Sequence, residues 1–292
     1  MSISQCNVTE MTIRKIDSLL LSRATIEGAG VHLKRAFGPT EVPLLDPFLM
    51  LDDFHSENPE DYMAGFPWHP HRGIETVTYM IRGAVEHGDS IGNKGVINSG
   101  DVQWMTAGSG IMHQEMPKEY HGMMQGFQLW VNLPASHKMM KPRYRGITEK
   151  QTPSFSPRKG VHVKVIAGQV DGTKGPVRDL VVDSEYLDVT LGPSNEIVHP
   201  VEKGKKAFAY VFEGGGSFHQ ESKKLVGAES LVIFEDGDEV MIRSGKEGIR
   251  FLLVSGNPIG EPVAWGGPIV MNTEEELEVA FDQLRKGTFI KA

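Results

Sequence analysis

Two short segments of this 292-residue chain each carry a pair of metal-ligand side chains at alternate positions. His69 and His71 form the first pair, and His113 and Glu115 form the second. Side chains at positions i and i+2 of a β-strand point to the same face, so each pair can direct two donors at one point. Two such strands facing each other would supply three imidazoles and one carboxylate, a set that suits a divalent transition metal ion.

The donor types narrow the kind of metal site. A zinc finger is excluded because the chain has one cysteine, Cys6, and so lacks the cysteine ligands of such a site. Three histidines and one carboxylate leave one or two positions open in an octahedral site, which suits Fe(II), while Mn, Ni and Cu fit the same ligand types. An iron site with open positions can bind a chelating oxygen substrate together with O₂. The donor set is therefore compatible with a dioxygenase.

A second carboxylate competes for the place of Glu115. Glu75 lies four residues after His71, so regular strand geometry would put both side chains on one face. Glu75 could instead orient an imidazole N–H from outside the ligand shell. Gly73 lies between them, and a bulge there could turn Glu75 to either face. Spacing alone leaves Glu75 and Glu115 as open alternatives.

The segments around the ligand pairs predict a fold made of short strands. Glu75–Ile81, Val102–Thr106 and Gly126–Leu133 are rich in β-branched and aromatic residues, and glycine-containing turns separate them. The 33 glycines and 17 prolines of the chain also favour a turn-rich β architecture. This pattern is typical of a sandwich or barrel.

The second half of the sequence resembles the first. Tyr79–Gly83 is similar to Tyr210–Gly214, which indicates a duplicated barrel. When the two tyrosines are aligned, the second half offers no comparable ligand set, so we predict that the chemistry belongs to the first barrel. The residues placed opposite the three histidines are Pro200, Glu202 and, more loosely, Arg250.

The domain division and the chain end can also be predicted. We assign residues 10–145 to the N-terminal barrel with the metal site and residues 146–292 to the C-terminal barrel. Pro134–Gly160 is interpreted as the connection, and its basic stretch Lys138–Arg145 is expected to be a solvated surface. A terminal helix is predicted to follow a cap at Asn272 or Thr273. Its apolar face is formed by Leu277, Ala280, Phe281 and Leu284, and Gly287 is expected to end it.

Composition excludes several classes of function. The formal net charge of −8 argues against direct nucleic-acid binding, which depends on clustered Lys and Arg. No apolar run approaches the ~20 residues that span a bilayer, and no signal peptide is evident. The one cysteine, Cys6, excludes an internal disulfide and fits a reducing compartment. We therefore expect a cytoplasmic protein, with a nuclear location also open if the source is eukaryotic.

Long motifs resemble those of the pirins, a family of bicupin proteins. The stretches that carry the resemblance are Phe66–Tyr79, Gly100–Pro117, Gly126–Leu133 and Gly267–Thr273. The resemblance covers nearly the whole chain. It implies an all-β fold of two tandem cupin (jelly-roll-like) barrels with a C-terminal helix, and a mononuclear iron in the N-terminal barrel.

The resemblance also implies ligands and an activity. The ligands would be His69, His71, His113 and Glu115, which favours Glu115 over Glu75 by analogy. The activity would be that of a quercetin 2,3-dioxygenase, in which a flavonol chelates the iron through its 3-hydroxyl and 4-keto oxygens. Glu115 would be the catalytic base for the hydroxyl proton. Reaction with O₂ would then open the ring and release carbon monoxide.

Other pirins suggest an alternative role without catalysis. In that hypothesis the protein is a regulator that binds transcription or metabolic partner proteins according to the redox state of its iron. Arg72 and neighbouring surface residues would form the contact with the protein partner.

Overall fold

The computed structural model describes residues 11–41, 45–219 and 225–291, so Cys6 lies outside the described residues. The strands of its first half are β1 (Ile16–Leu21), β2 (Arg23–Glu27), β3 (Val31–Phe37), β4 (Phe48–Ser56), β5 (Phe66–His71), β6 (Ile74–Arg82), β7 (Ala84–Asp89), β8 (Lys94–Asn98), β9 (Val102–Thr106), β10 (Ile111–Pro117), β11 (Met124–Asn132) and β12 (Arg143–Ile147).

The strands of the second half are β13 (Ser154–Arg158), β14 (Val161–Ala167), β15 (Gln169–Val170), β16 (Thr173–Lys174), β17 (Ser184–Leu191), β18 (Glu196–Pro200), β19 (Lys206–Ser217), β20 (Val226–Gly227), β21 (Ser230–Phe234), β22 (Glu239–Gly256), β23 (Ala264–Gly266) and β24 (Ile269–Met271). Helices α1 (Ala135–Lys138) and α2 (Glu274–Arg285) and 3₁₀ turns at Pro59–Asp61 and Glu149–Gln151 complete the secondary structure of the described ranges. Within these ranges, no helix is both long enough and apolar enough to cross a lipid bilayer.

The N-terminal barrel consists of two sheets that face each other. Its large sheet has the strand order β12-β9-β6-β11-β4-β3-β2, and its small sheet has the order β5-β10-β7-β8. Apolar side chains from both sheets, such as Met80 of β6 and Val85 of β7, pack between them. The period-two pattern of the sequence thus folds into the predicted barrel, with one face of each strand turned inward.

The C-terminal barrel is built on one sheet with the order β1-β21-β19-β22-β17-β14-β13. Its interior is filled by apolar side chains such as Val163, Leu187 and Phe251. The prediction of an all-β fold with two tandem cupin barrels is confirmed. Strand β1 comes from the start of the chain but pairs with β21, so the second sheet contains a strand from the first domain segment. The predicted division between residues 145 and 146 stays a prediction.

The two barrels pack against each other through apolar faces that point away from their interiors. Val77 and Tyr79 of β6 share one cluster with Phe208 and Tyr210 of β19. The tyrosines aligned in the sequence repeat make reciprocal hydrogen bonds across this interface. The Tyr79 hydroxyl donates to Asp188 Oδ2 at 2.7 Å, and the Tyr210 hydroxyl donates to Asp53 Oδ2 at 2.9 Å.

The expectation of a solvated basic stretch is wrong at Lys138. This side chain is 1% exposed. Its ammonium group lies inside the protein because it can donate to several acceptors that would otherwise be unpaired. These acceptors are the Asn132 Oδ1 atom and the carbonyl oxygens of Gly73 and Val270.

The predicted C-terminal helix is confirmed as α2. Thr273 is its N-cap residue, and the Thr273 hydroxyl and the Glu276 carboxylate form a capping box. Leu277 and Ala280 are buried and pack against the hairpin of β23 and β24. The helix therefore covers this small hairpin.

Candidate metal centre

Two neighbouring strands of the small sheet bring the predicted histidines together. β5 and β10 run antiparallel, and His113 lies opposite His69 in their register. β5 is the edge strand, which explains how it accommodates Pro67 and Pro70 without an N–H to donate. Alternation along β5 places His71 beside His69. Among the described residues, these three histidines form a group whose ligand atoms all lie within 4.8 Å of one another.

Backbone carbonyls fix the ring tautomer of the first two histidines. His69 Nδ1 lies 2.8 Å from the Pro67 oxygen, and His71 Nδ1 lies 3.0 Å from the Pro268 oxygen. A carbonyl only accepts hydrogen bonds, so Nδ1 carries the proton in each neutral ring and Nε2 presents a lone pair. The two Nε2 atoms are 3.1 Å apart. Two lone pairs cannot bond to each other, whereas a shared cation would satisfy both.

His113 supplies the third donor and is fully buried. Neither of its ring nitrogens has a hydrogen-bond partner among the described residues. Burial and the neighbouring His71 and His69 hold the pKa of His113 well below its usual value. Burial and the nearby His69 lower the pKa of His71 to about 3. Both rings are therefore neutral near pH 7, which is the form that binds a metal ion.

Glu115 lies two residues after His113 on the same buried face of β10. It does not belong to the group of ligand atoms that lie within 4.8 Å of one another, and other side chains bind its carboxylate. Oε1 accepts a hydrogen bond from the Thr78 hydroxyl at 2.8 Å, and Oε2 accepts one from Gln128 Nε2 at 2.9 Å. Gln128 is itself oriented, since its Oε1 accepts from Trp130 Nε1 at 3.2 Å. This chain of contacts fixes the orientation of the Glu115 carboxylate on the face of β10 that also carries His113.

Glu75, the competing carboxylate, has partners at the domain interface. Gly73 has a φ of +77° and interrupts the alternation between β5 and β6. The Glu75 Oε1 atom accepts hydrogen bonds from the Thr106 hydroxyl at 2.5 Å and from Arg145 Nη2 at 3.0 Å. Its strand neighbour on the same face, Val77, packs into the inter-domain cluster. Glu75 therefore shares a sheet face with the interface residues, and its buried carboxylate forms an ion pair with the partly exposed Arg145.

A cavity of about 620 Å³ reaches the first two histidines. The Trp130 ring packs edge-on to His71 with centroids 5.0 Å apart, and it stacks on Trp265 at 5.8 Å. Arg35 and Asp52 add a doubly hydrogen-bonded ion pair, with both N–O distances 2.8 Å. The pocket is thus mainly aromatic and apolar with a few fixed polar groups, which is typical of small-molecule sites. Its further lining includes Met50, Phe66, Pro67, Gln128, Gly267 and Pro268.

The positions aligned with the histidines in the repeat have other surroundings in the second barrel. Pro200 ends β18, and Glu202 is an exposed loop residue. Arg250 donates to Asp188 through Nε at 3.0 Å and Nη2 at 2.7 Å. Arg250 therefore belongs to the polar contacts near the domain interface.

Sequence reasoning missed the residues that complete the pocket. Trp130 and Gln128 lie in one of the family-like motifs, and Pro268 lies in another, but neither motif contains a ligand pair. Membership in these motifs was the signal that could have identified the three residues as part of the site. The expectation that Arg72 forms a partner contact is wrong, because this side chain is 1% exposed and binds buried carbonyl oxygens.

Comparison with known proteins identifies the family. The pirin sequence profile matches residues 30–131, and the profile of the pirin C-terminal cupin domain matches residues 186–290. The chain belongs to the pirin family. It is 44% identical over 280 residues to a pirin-like protein of Caulobacter vibrioides, covering 96% of this chain and 100% of the relative.

Two further relatives of this pirin carry the name of an enzyme. A Pseudomonas aeruginosa protein provisionally named quercetin 2,3-dioxygenase is 42% identical over 265 residues, covering 89% of this chain and 93% of the relative. A crystal structure of quercetin 2,3-dioxygenase from Acinetobacter baumannii superposes with a TM-score of 0.88 at 32% identity. That alignment covers 95% of this chain and 99% of the other.

Proposed function

We propose that this pirin is a mononuclear iron dioxygenase that cleaves a flavonol of the quercetin type with O₂ and releases carbon monoxide. The observation that carries the proposal is the convergence of three imidazole rings beside an aromatic pocket of about 620 Å³. The relatives named quercetin 2,3-dioxygenase support the choice of substrate class and reaction.

The metal would be held by His69, His71, His113 and Glu115. The His113 nitrogens have no hydrogen-bond partner within the described ranges, and the Nε2 atoms of His69 and His71 face each other. Both observations fit a cation at this point. Fe(II) is the proposed ion, although Mn, Ni and Cu suit the same ligand types. When bound, the iron supplies Lewis acidity and one-electron chemistry for the reaction with O₂.

The protein's own residues would bind the flavonol and take its proton. Trp130 and Trp265 offer flat apolar surfaces for an aromatic ring system, and a pocket of this size suits a molecule as large as a flavonol. Glu115 would accept the proton of the 3-hydroxyl group as general base. The hydrogen bonds from Thr78 and Gln128 would keep its carboxylate in place for that transfer.

An oxygen-electrode assay tests the proposal. Iron-loaded protein with quercetin should consume O₂ and release carbon monoxide, whereas metal-free protein should not. His113→Gln should lose both metal and activity, while His137→Gln, at an exposed position, should retain them. Metal binding without oxygen uptake above the metal-free control would contradict the enzymatic proposal. It would favour the alternative role as a regulator that binds protein partners.

A matched pair of variants tests the carboxylate assignment. Glu115→Gln should lower the amount of iron that copurifies with the protein. Glu75→Gln should retain the iron and instead reduce stability, because Arg145 loses its buried partner. Loss of iron in Glu75→Gln alone would overturn the assignment of Glu115.

A further inference from the structure

The end of the chain returns to the N-terminal barrel. We call residues 264–289, which comprise β23, β24, α2 and the turn to Phe289, the C-terminal strap. The strap lies within the match to the C-terminal cupin domain. Its Val270 N–H nevertheless donates to the Arg72 carbonyl at 3.1 Å, and Ile269 forms a β-bridge with Arg72. The strap therefore pairs directly with the residue that follows the metal-ligand strand β5.

The Arg72 side chain also ties the end of the strap to the metal-ligand strands. Its Nε donates to the Ser109 carbonyl at 2.8 Å, just before β10. Its Nη2 donates to the Phe289 carbonyl at 2.9 Å, and its Cζ lies 4.1 Å from the centroid of the Phe289 ring. A planar guanidinium can make these contacts at once, whereas an ammonium group cannot. The buried cation thus joins β5, the entry to β10 and the end of the strap.

Lys138 makes a second connection at the same junction. Its Nζ donates to the Gly73 carbonyl at 3.0 Å and to the Val270 carbonyl at 3.1 Å. Gly73 immediately follows Arg72, so two buried cations hold the strap against the end of β5. Charged donors form the stronger class of hydrogen bonds, which makes this attachment specific in register.

The strap contributes two groups to the metal pocket. The Pro268 carbonyl accepts the proton of His71 Nδ1 at 3.0 Å and so keeps Nε2 available to a metal ion. Trp265 stacks on Trp130 and forms part of the aromatic wall. Both groups, the Pro268 carbonyl and the Trp265 ring, come from the strap and not from the barrel that holds the histidines.

We propose that the C-terminal strap is a working part of the metal centre, with Arg72 and Phe289 as positioning residues that hold the Pro268 carbonyl on His71. Metal binding and the attachment of the strap to the N-terminal barrel then stabilise each other, because a coupling between two sites is reciprocal. The inference rests on the proposed metal site, but it does not depend on which reaction that site performs. If the strap only packed against the barrel, metal binding would leave the local stability of the strap unchanged.

Hydrogen exchange of the unaltered, full-length protein with and without Ni²⁺ tests the coupling. Ni²⁺ should slow exchange in residues 264–289 by at least several-fold, in addition to residues 66–71 and 111–115. Protection confined to the ligand strands would overturn the inference while leaving the metal site intact. Absence of Ni²⁺ binding would overturn the metal site and this inference together. Protection of the strap in a protein without dioxygenase activity would support the inference and reject only the reaction.

Phe289→Ala and Ile290→Ala provide a matched pair in one segment. Phe289 is buried against Arg72, whereas Ile290 is 36% exposed. Phe289→Ala should weaken Ni²⁺ binding about tenfold, the lower end of the effect of losing a ligand's supporting contact. It should also reduce the metal-induced protection of the strap, while Ile290→Ala should stay within twofold of the unaltered protein. Equal Ni²⁺ affinity in both variants would contradict a positioning role.

Discussion

At the scale of single residues, the centre is built from groups that are poorly satisfied without a ligand. His113 buries two ring nitrogens that lack a hydrogen-bond partner in the described part of the chain. An unpaired buried polar group costs about 1–3 kcal/mol. His69 and His71 add two lone pairs that face each other. A core selected for stability alone would fill this position with an apolar side chain, so the cost points to a binding role.

Replacing His113 with leucine should therefore stabilise the metal-free protein and abolish metal binding. The expected gain in the free energy of unfolding is about 1 kcal/mol, because the unpaired polar ring is lost and leucine has a similar size. Urea denaturation of chelator-treated protein measures the change, and Ni²⁺ titration measures the binding. His137→Leu, at an exposed position, should change neither quantity. A less stable His113→Leu protein would show that the imidazole has a hidden structural partner.

The buried histidines should also make the metal-free protein sensitive to acid. His71 has a pKa of about 3 in the folded state and about 6.5 when unfolded. Between these values the unfolded chain binds a proton that the folded protein excludes. The free energy of unfolding should then fall as the pH is lowered from 6.5 towards 3, by up to about 1.4 kcal/mol per pH unit for this group.

Urea denaturation at several pH values measures this slope on metal-free protein. His71→Gln should show a shallower fall in stability below pH 6.5, because glutamine does not titrate. Ile290→Gln, at an exposed position without a titratable group, serves as the control and should keep the slope of the unaltered protein. Identical slopes in His71→Gln and the unaltered protein would mean that other groups cause the acid sensitivity.

At the scale of strands and turns, period-two spacing predicted the first steps of the site. It placed His69 with His71 because both lie on one regular strand, β5. It could not place Glu75, because Gly73 interrupts the alternation with a positive φ. The sequence predicted helix α2 of the strap, but the contact of the strap with the site had no local signature, since the hydrogen bond of His71 with Pro268 joins residues 197 positions apart. The family-like motifs pointed to the stretches that line the pocket, but they did not explain what their residues contact there.

Gly73, in the turn between β5 and β6, should not tolerate a larger residue. An added Cβ would lie 1.9 Å from the Val270 carbonyl oxygen, and the φ of +77° disfavours any other residue. Gly73→Ala should therefore cost more than the ~1–3 kcal/mol of backbone strain alone and should displace the strap. Thermal denaturation and Ni²⁺ titration measure the two effects.

Gly92→Ala separates the strain from the clash. Gly92 has a similar φ of +96°, but no described atom lies within 4 Å of the place that an added Cβ would occupy. This control should show the backbone cost and leave Ni²⁺ affinity unchanged. If both variants lost the same stability and neither lost affinity, the close contact with Val270 would have no consequence for the site.

At the scale of the whole molecule, the two barrels behave as one packing unit. A single apolar cluster takes Val77 and Phe127 from the first barrel and Phe208 and Leu252 from the second. The sequence repeat suggested two similar barrels, but it carried no information on how they meet. The meeting surface is the outer face of each large sheet, so neither barrel can expose that face without losing a large apolar contact.

The reciprocal tyrosine contacts should measure how strongly the barrels are coupled. Tyr79→Phe and Tyr210→Phe should each cost about 1.5 kcal/mol, the lower end for a hydrogen bond to a charged group. The cost stays modest because Asp188 keeps Arg250 and Asp53 keeps His55. The double variant should lose about the sum of the two free energies, since the two contacts share no residue.

Calorimetry should show one unfolding transition in all three variants, because the apolar cluster still joins the barrels. Two separate transitions in the unaltered protein would contradict the coupling, since each barrel would then unfold without the other.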